Sequence, residues 1–208
     1  MSKTFTQLDD AASRLLLYRL QPQAALPTEK QVRDAALALG LTLPDDYVDQ
    51  CCRFGAVAFE KRACLALPEG CAMGRQFWLD IVYAIGAQSD WDPLQLWSNG
   101  LRYRLPVGLL PIATDPGGNL LLLGLGERQG LFVWDHEHRE LQPGEFDQRV
   151  AELRAVGEPT HELDVDELML RWETRFVERV SNPSGNGNLY PVAPSWAEAC
   201  RALHELLL

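Results

Sequence analysis

Three observations predict an α+β fold for this chain. Helical periodicity occupies both ends of the sequence, and period-two alternation occupies the middle. The turns between Ala113 and Leu131 are too short to hold crossover helices, so the strands they join must run antiparallel. Helices, then strands, then helices describe a mainly antiparallel, curved sheet with helices packed at its N- and C-terminal ends.

The elements follow in order. Leu8, Ala12, Leu15, Leu16 and Arg19 give a partial 3.6 period, which predicts a first helix over 6–20. Pro22 and Pro27 bracket a linker, and Thr28 with Gln31 forms a capping box for a second helix. Its stripe is Val32, Ala35, Ala36 and Leu39, and Gly40 supplies the left-handed stop. Pro44 opens a third helix that runs through Tyr47 and Val48 to Phe54.

Alternation then takes over, with Phe77, Leu79, Ile81, Tyr83 and Ile85 opposed to Trp78, Asp80, Val82 and Ala84. Both faces are apolar enough for a central strand. Asp92-Pro93 reads as the cap and first turn of a short helix ending near Gly100. Strands are expected at 109–113, 120–125 and 131–134, joined by Pro116-Gly117-Gly118-Asn119 and by 126–130. Phe146, Val150, Leu153 and Val156 share a helical stripe, and a longer amphipathic helix is expected over 164–180. Residues 181–194, rich in Gly, Pro and Asn, read as a linker. Ser195-x-x-Glu198 caps a terminal helix whose Trp196, Cys200, Leu203 and Leu207 can dock on the sheet. One domain over 1–208 results: an N-terminal helical extension 1–27, a core 28–137, an acidic helical insertion 141–190 and a C-terminal capping helix 191–208.

Composition narrows the function. No run reaches the ~18 apolar residues that a membrane span needs, and the N-terminus lacks the pattern of a signal peptide, so a cytoplasmic protein is expected. Five cysteines without a Cys-x-x-Cys pair read as reduced thiols. The net charge is −10, and between Glu140 and Ser181 eleven acidic residues face five arginines. Such a surface repels nucleic acid and speeds encounter with a basic protein.

Enzymatic motifs are weak. Gly124-x-Gly126 is followed by a strand rather than a helix start, so these glycines read as a hairpin turn and not a phosphate loop. His136 and His138 would share one side of a strand, where two imidazoles can hold a metal. No third ligand stands at a familiar spacing, and the solvated-turn reading is the plainer one, so no metal and no cofactor are expected. Asp45-Asp46 and the 164–167 acids sit at helix starts, where they complement the dipole. Trp91 and Trp97 flank a short helix beside Asp90 and Asp92, which suits either a hot spot for a basic partner or rings covering the sheet.

A series of features follows in order: Leu39-Gly40, Leu43-Pro44-Asp45-Asp46-Tyr47, a helix and Gly55, then Leu110-Pro111-Ile112-Ala113-Thr114-Asp115 with Gly117-Gly118-Asn119. Gly130, Val133-Trp134-Asp135-His136-Glu137 and the closing Pro194-Ser195-Trp196 complete it. In this order they resemble the SUKH superfamily of bacterial toxin-immunity proteins and fungal cell-wall-synthesis regulators. Phe54-Gly55 departs from the usual Asn-Gly, and the 141–190 segment is longer than usual. The resemblance implies a non-catalytic protein that binds a cognate toxin, with no nucleic-acid or membrane partner. The contact residues expected on that reading are Asp90, Trp91, Asp92 and Trp97, joined by Asp115, Asp135 and Glu137 if the sheet edge takes part. A regulatory or scaffold module without a toxin, and a metalloenzyme built on His136 and His138, are the rivals.

Overall fold

The computed structural model describes residues 4–69, 71, 73–87, 89–98, 105, 108–135, 145–160, 168, 171–172 and 189–205. The helices are α1 (Thr4–Arg14), α2 (Glu29–Leu37), α3 (Asp45–Arg53), α4 (Pro93–Ser98), α5 (Glu145–Ala155) and α6 (Trp196–Ala202). The strands are β1 (Leu17–Arg19), β2 (Val57–Ala66), β3 (Gln76–Val82), β4 (Leu109–Thr114), β5 (Leu120–Gly124), β6 (Leu131–Trp134), β7 (Leu189–Ala193) and β8 (His204–Glu205). They form one sheet in the order β1-β2-β3-β4-β5-β6-β7, with β8 paired to β2. Every pairing among them is antiparallel, and the short turns require this of β4–β5 and β5–β6.

Leucine alternation splits the sheet into two faces. Leu121, Leu123, Leu131 and Val133 point into the larger core, which α1, α2, α3 and α6 cover with Ala11, Val32, Tyr47 and Trp196. Leu120, Leu122 and Trp134 point into a second cluster on the other face. Because β4–β6 are apolar on both sides, both sides must be covered. Ser89–Trp91 forms a 3-10 turn ahead of α4, and this segment covers the second face: Trp91 touches both clusters and Leu96 packs on the second.

The C-terminal return straps the sheet from one side to the other. β7 extends it beyond β6, α6 crosses the helical face, and β8 lands on β2. The Ser195 hydroxyl caps α6 by accepting from Glu198 N, and Asp46 Oδ2 accepts from Ala197 N at 2.9 Å. The Arg14 guanidinium donates to Leu203 O at 3.1 Å. Trp196 is 2% exposed, a burial whose removal by alanine costs about 3–5 kcal/mol.

Several sequence expectations need correction. The helix expected over 6–20 ends at Arg14; Leu16 takes a positive φ of 53°, and the next three residues join the sheet as β1. β2 is absent from the sequence expectations, because its alanine-rich sequence hides the alternation and a register shift between Ala58 and Ala63 breaks it. β3 stops at Val82 rather than Ile85. Residues 189–193 of the expected linker are β7. The terminal helix ends at Ala202 and gives way to β8. Val156 lies past α5 and is exposed. Of the helix expected over 164–180, residues 168 and 171–172 are described and are helical; its other residues, the imidazoles of His136 and His138, and Leu207 lie outside the described residues.

The glycine-rich turn is a hairpin. The Gly124 amide donates to Gly130 O at 2.8 Å, and a Cβ on Gly124 would sit 2.0 Å from Arg128 O. No side chain fits there without moving backbone. Gly124→Ala is therefore expected to destabilise the protein by roughly 3 kcal/mol or more, read from urea unfolding. A loss under about 1 kcal/mol would show that the turn relaxes freely.

Candidate functional site

The residues expected to bind a partner divide into an exposed tip and a supporting frame. Asp90 is exposed on the 3-10 turn, while Trp91 and Trp97 are partly buried against the core. Asp92 is only 7% exposed, and its carboxylate is turned inward. Its Oδ2 accepts from Gly86 N at 3.0 Å and its Oδ1 from Leu94 N at 2.9 Å. One carboxylate thus closes the turn after β3 and caps α4, the task that Asp performs at a helix start.

Asp115 serves the β4–β5 turn in the same way. Its Oδ1 accepts from Asn119 N and its Oδ2 from Asn119 Nδ2, both at 2.8 Å. Thr114 Oγ1 donates across the same turn to Asn119 O at 3.1 Å. Asp135 follows β6 and is 4% exposed, and Glu137 lies outside the described residues. The structure therefore groups Asp90, Trp91, Asp92 and Trp97 in one lobe, with Asp115 on a separate turn.

The Leu43-Pro44-Asp45-Asp46-Tyr47 stretch is likewise a fastening. Asp45 accepts from Arg33 at 2.6 Å, Asp46 holds the start of α6, and Tyr47 Oη donates to Tyr83 O at 3.0 Å. These bonds join α2, α3, α6 and the end of β3 at one point.

The thiols are not poised for chemistry. Cys51 is fully buried, and burial pushes its thiol up to about 12; burial also pushes Cys200 up. Raised thiols hold little thiolate near neutrality and are weak nucleophiles. Among the described residues no group of His, Cys, Asp and Glu is placed to hold a metal ion. A shallow notch between Arg19, Leu26, Gly55 and Gly86 has room for about one water molecule. That is far below the ~300 Å³ at which small-molecule pockets begin.

A family model matches residues 26–148, more than half of the chain and from α2 into α5. The chain belongs to the SMI1 / KNR4 family (SUKH-1). Neither curated proteins nor solved structures gave a match. Family membership accords with the immunity or regulatory roles that the resemblance implied. In this SUKH-1 chain the helical core also draws on Tyr190, Trp196, Cys200 and Leu203, beyond the matched span. No described helix is long and apolar enough to cross a membrane.

Sequence reasoning passed over one surface residue. Trp78 is 40% exposed, with the Arg62 guanidinium 5.3 Å from its ring centre. The signal was present, because alternation places Trp78 opposite the buried Phe77 and Leu79.

Two outcomes are expected. Asp92→Ala should lower stability by about 1–2 kcal/mol, seen as a fall in the unfolding midpoint, since both the cap and the turn brace are lost. Burial raises Tyr47, Cys51 and Cys200 alike, so the folded state keeps protons that the unfolded chain releases. Their contribution is fully present below the ordinary thiol value of 9.0 and is lost as pH rises toward about 12. Cys51→Ala should flatten the alkaline fall of the urea midpoint; an unchanged slope would remove Cys51 from that account.

Proposed function

We propose that the protein is a non-catalytic immunity-type protein that binds a cognate bacterial toxin and occludes its active site. Membership of the SMI1 / KNR4 family (SUKH-1) is the observation that carries this reading. The net charge of −10 supports it, because an acidic binder is steered toward a basic domain such as a nuclease cleft. Inhibition by cover needs a rigid platform and no reacting group. The buried, protonated thiols and fastened carboxylates are in keeping with that requirement.

On this proposal the contact is made by the lobe of Ser89–Trp91 and α4. Asp90 meets a cation of the toxin, and Trp91 and Trp97 supply the apolar edge beneath it. Asp92 and Asp115 act by holding their turns in place, and Asp135 and Glu137 join the contact. The protein acts in the cytoplasm, without a cofactor, a nucleic acid or a membrane.

A regulatory role without a toxin is the second reading, and one observation favours it. Leu153, Leu168 and Trp172 form a small apolar cluster apart from both sheet cores, with Arg149 stacked 4.1 Å from the Trp172 ring. Trp172 Nε1 donates to Glu152 at 2.9 Å, which adds to this separate centre. A segment with its own packing can carry its own binding surface.

Co-expression with the C-terminal domain encoded by the neighbouring gene tests the first reading: growth should be rescued by the wild-type chain. Asp90→Lys should slow association with that domain roughly two- to fivefold and weaken its salt dependence, measured by stopped-flow mixing. Rescue with unchanged association kinetics would move the contact elsewhere on the surface. No rescue and no binding would favour the regulatory reading.

A further inference from the structure

One peptide unit joins α3 to the candidate lobe. β3 ends at Val82, and the Tyr83 amide adds a bond to β4 by donating to Ile112 O at 2.8 Å. The Tyr83 carbonyl accepts from Tyr47 Oη at 3.0 Å. On the other side of the same peptide bond, Ala84 N donates to Trp91 O, also at 3.0 Å. Tyr47 lies fully buried in the helical core, whereas Trp91 belongs to the lobe and touches both clusters.

A trans peptide is planar, and its carbonyl and amide point in opposite directions. Tyr47 and Trp91 therefore hold the two ends of one rigid plate, and turning the plate to break one bond breaks the other. Hydrogen bonds linked in this way polarise one another, because a carbonyl that accepts makes the amide on its own plane a better donor. Further along, the Gly86 amide donates to Asp92 Oδ2 at 3.0 Å, and Asp92 Oδ1 accepts from Leu94 N in the first turn of α4. Ser89–Trp91 and α4 are thus hung from residues 83–86, whose orientation is set from the other side by the α3 hydroxyl.

We propose that Tyr47 is a positioning residue for the partner-binding lobe: its hydroxyl, acting through the Tyr83–Ala84 peptide, fixes where Trp91 is presented. This rests on the lobe being the contact proposed above. Tryptophan is among the side chains that dominate binding energy at interfaces, and a ring held in place in advance loses less freedom on binding. Tyr47 is 0% exposed, so it meets no partner itself and acts only through the backbone it holds. Its packing and its hydrogen bond are separable, because phenylalanine keeps the ring and removes the hydroxyl alone.

Tyr47→Phe in the full chain tests it, first without a partner. By NMR hydrogen exchange, the Ala84 amide should exchange about fivefold faster relative to the Leu121–Leu123 amides of β5, as expected for the loss of one hydrogen bond. Val133→Ala, which thins the core on β6, should not raise that ratio, and so controls for a general loss of stability. With the C-terminal domain encoded by the neighbouring gene, Tyr47→Phe should dissociate about threefold faster or more, while Val133→Ala should dissociate at the wild-type rate. An Ala84 amide that gains nothing relative to β5 overturns the proposal. So does a faster Ala84 amide combined with a wild-type dissociation rate. If the wild-type chain does not bind the domain at all, the toxin reading fails on its own, and the exchange ratio alone decides whether Tyr47 orients the lobe.

Discussion

Strands β4–β6 are apolar on both faces, and the rest of the architecture answers to that constraint. A sheet of this kind loses its driving force unless both sides are removed from water. Helices from the two chain ends close one side, with Trp196 and Tyr47 buried between them and the strands. Among the described residues, Trp91, Leu96 and Leu105 close the other side. The cover therefore ends where the apolar strands end. Beyond that point β3 turns Trp78 and Asp80 outward, and Trp78 is 40% exposed.

Polar side chains act mainly as fasteners. Asp92 and Asp115 each engage both carboxylate oxygens with donors a few residues away, and Asp46 reaches across the sequence to the start of α6. Hydrogen bonds to a carboxylate are stronger than neutral ones, so a few of them hold loops that have little apolar area of their own. The same arrangement explains why an acidic chain need not have an acidic binding site: many of its carboxylates are already committed to the fold.

Much of the candidate lobe was legible in advance, and its meaning was less so. Asp92-Pro93 correctly marked a helix start, and the nearby tryptophans, left open between a partner hot spot and a cover for the sheet, pack partly against the core. Whether those rings face water or the sheet depends on which strand lies beneath them, and no local pattern carries that information. Trp78 shows the reverse case. Its alternation was visible, but its exposure follows from α4 covering β4 and its neighbours instead of β3's first half.

By itself the sequence determined the capping box at Thr28, the cap at Ser195, the hairpin glycines, and the strands whose leucines repeat strongly. These are short-range effects, in which a side chain meets its own backbone or a period repeats over a few residues. Only the tertiary structure decided that Leu17–Arg19, Val57–Ala66, Leu189–Ala193 and His204–Glu205 are strands. Each of these lacks a strong pattern of its own and becomes a strand by pairing with a distant one, so its conformation is set by hydrogen bonds to a partner the local sequence cannot name.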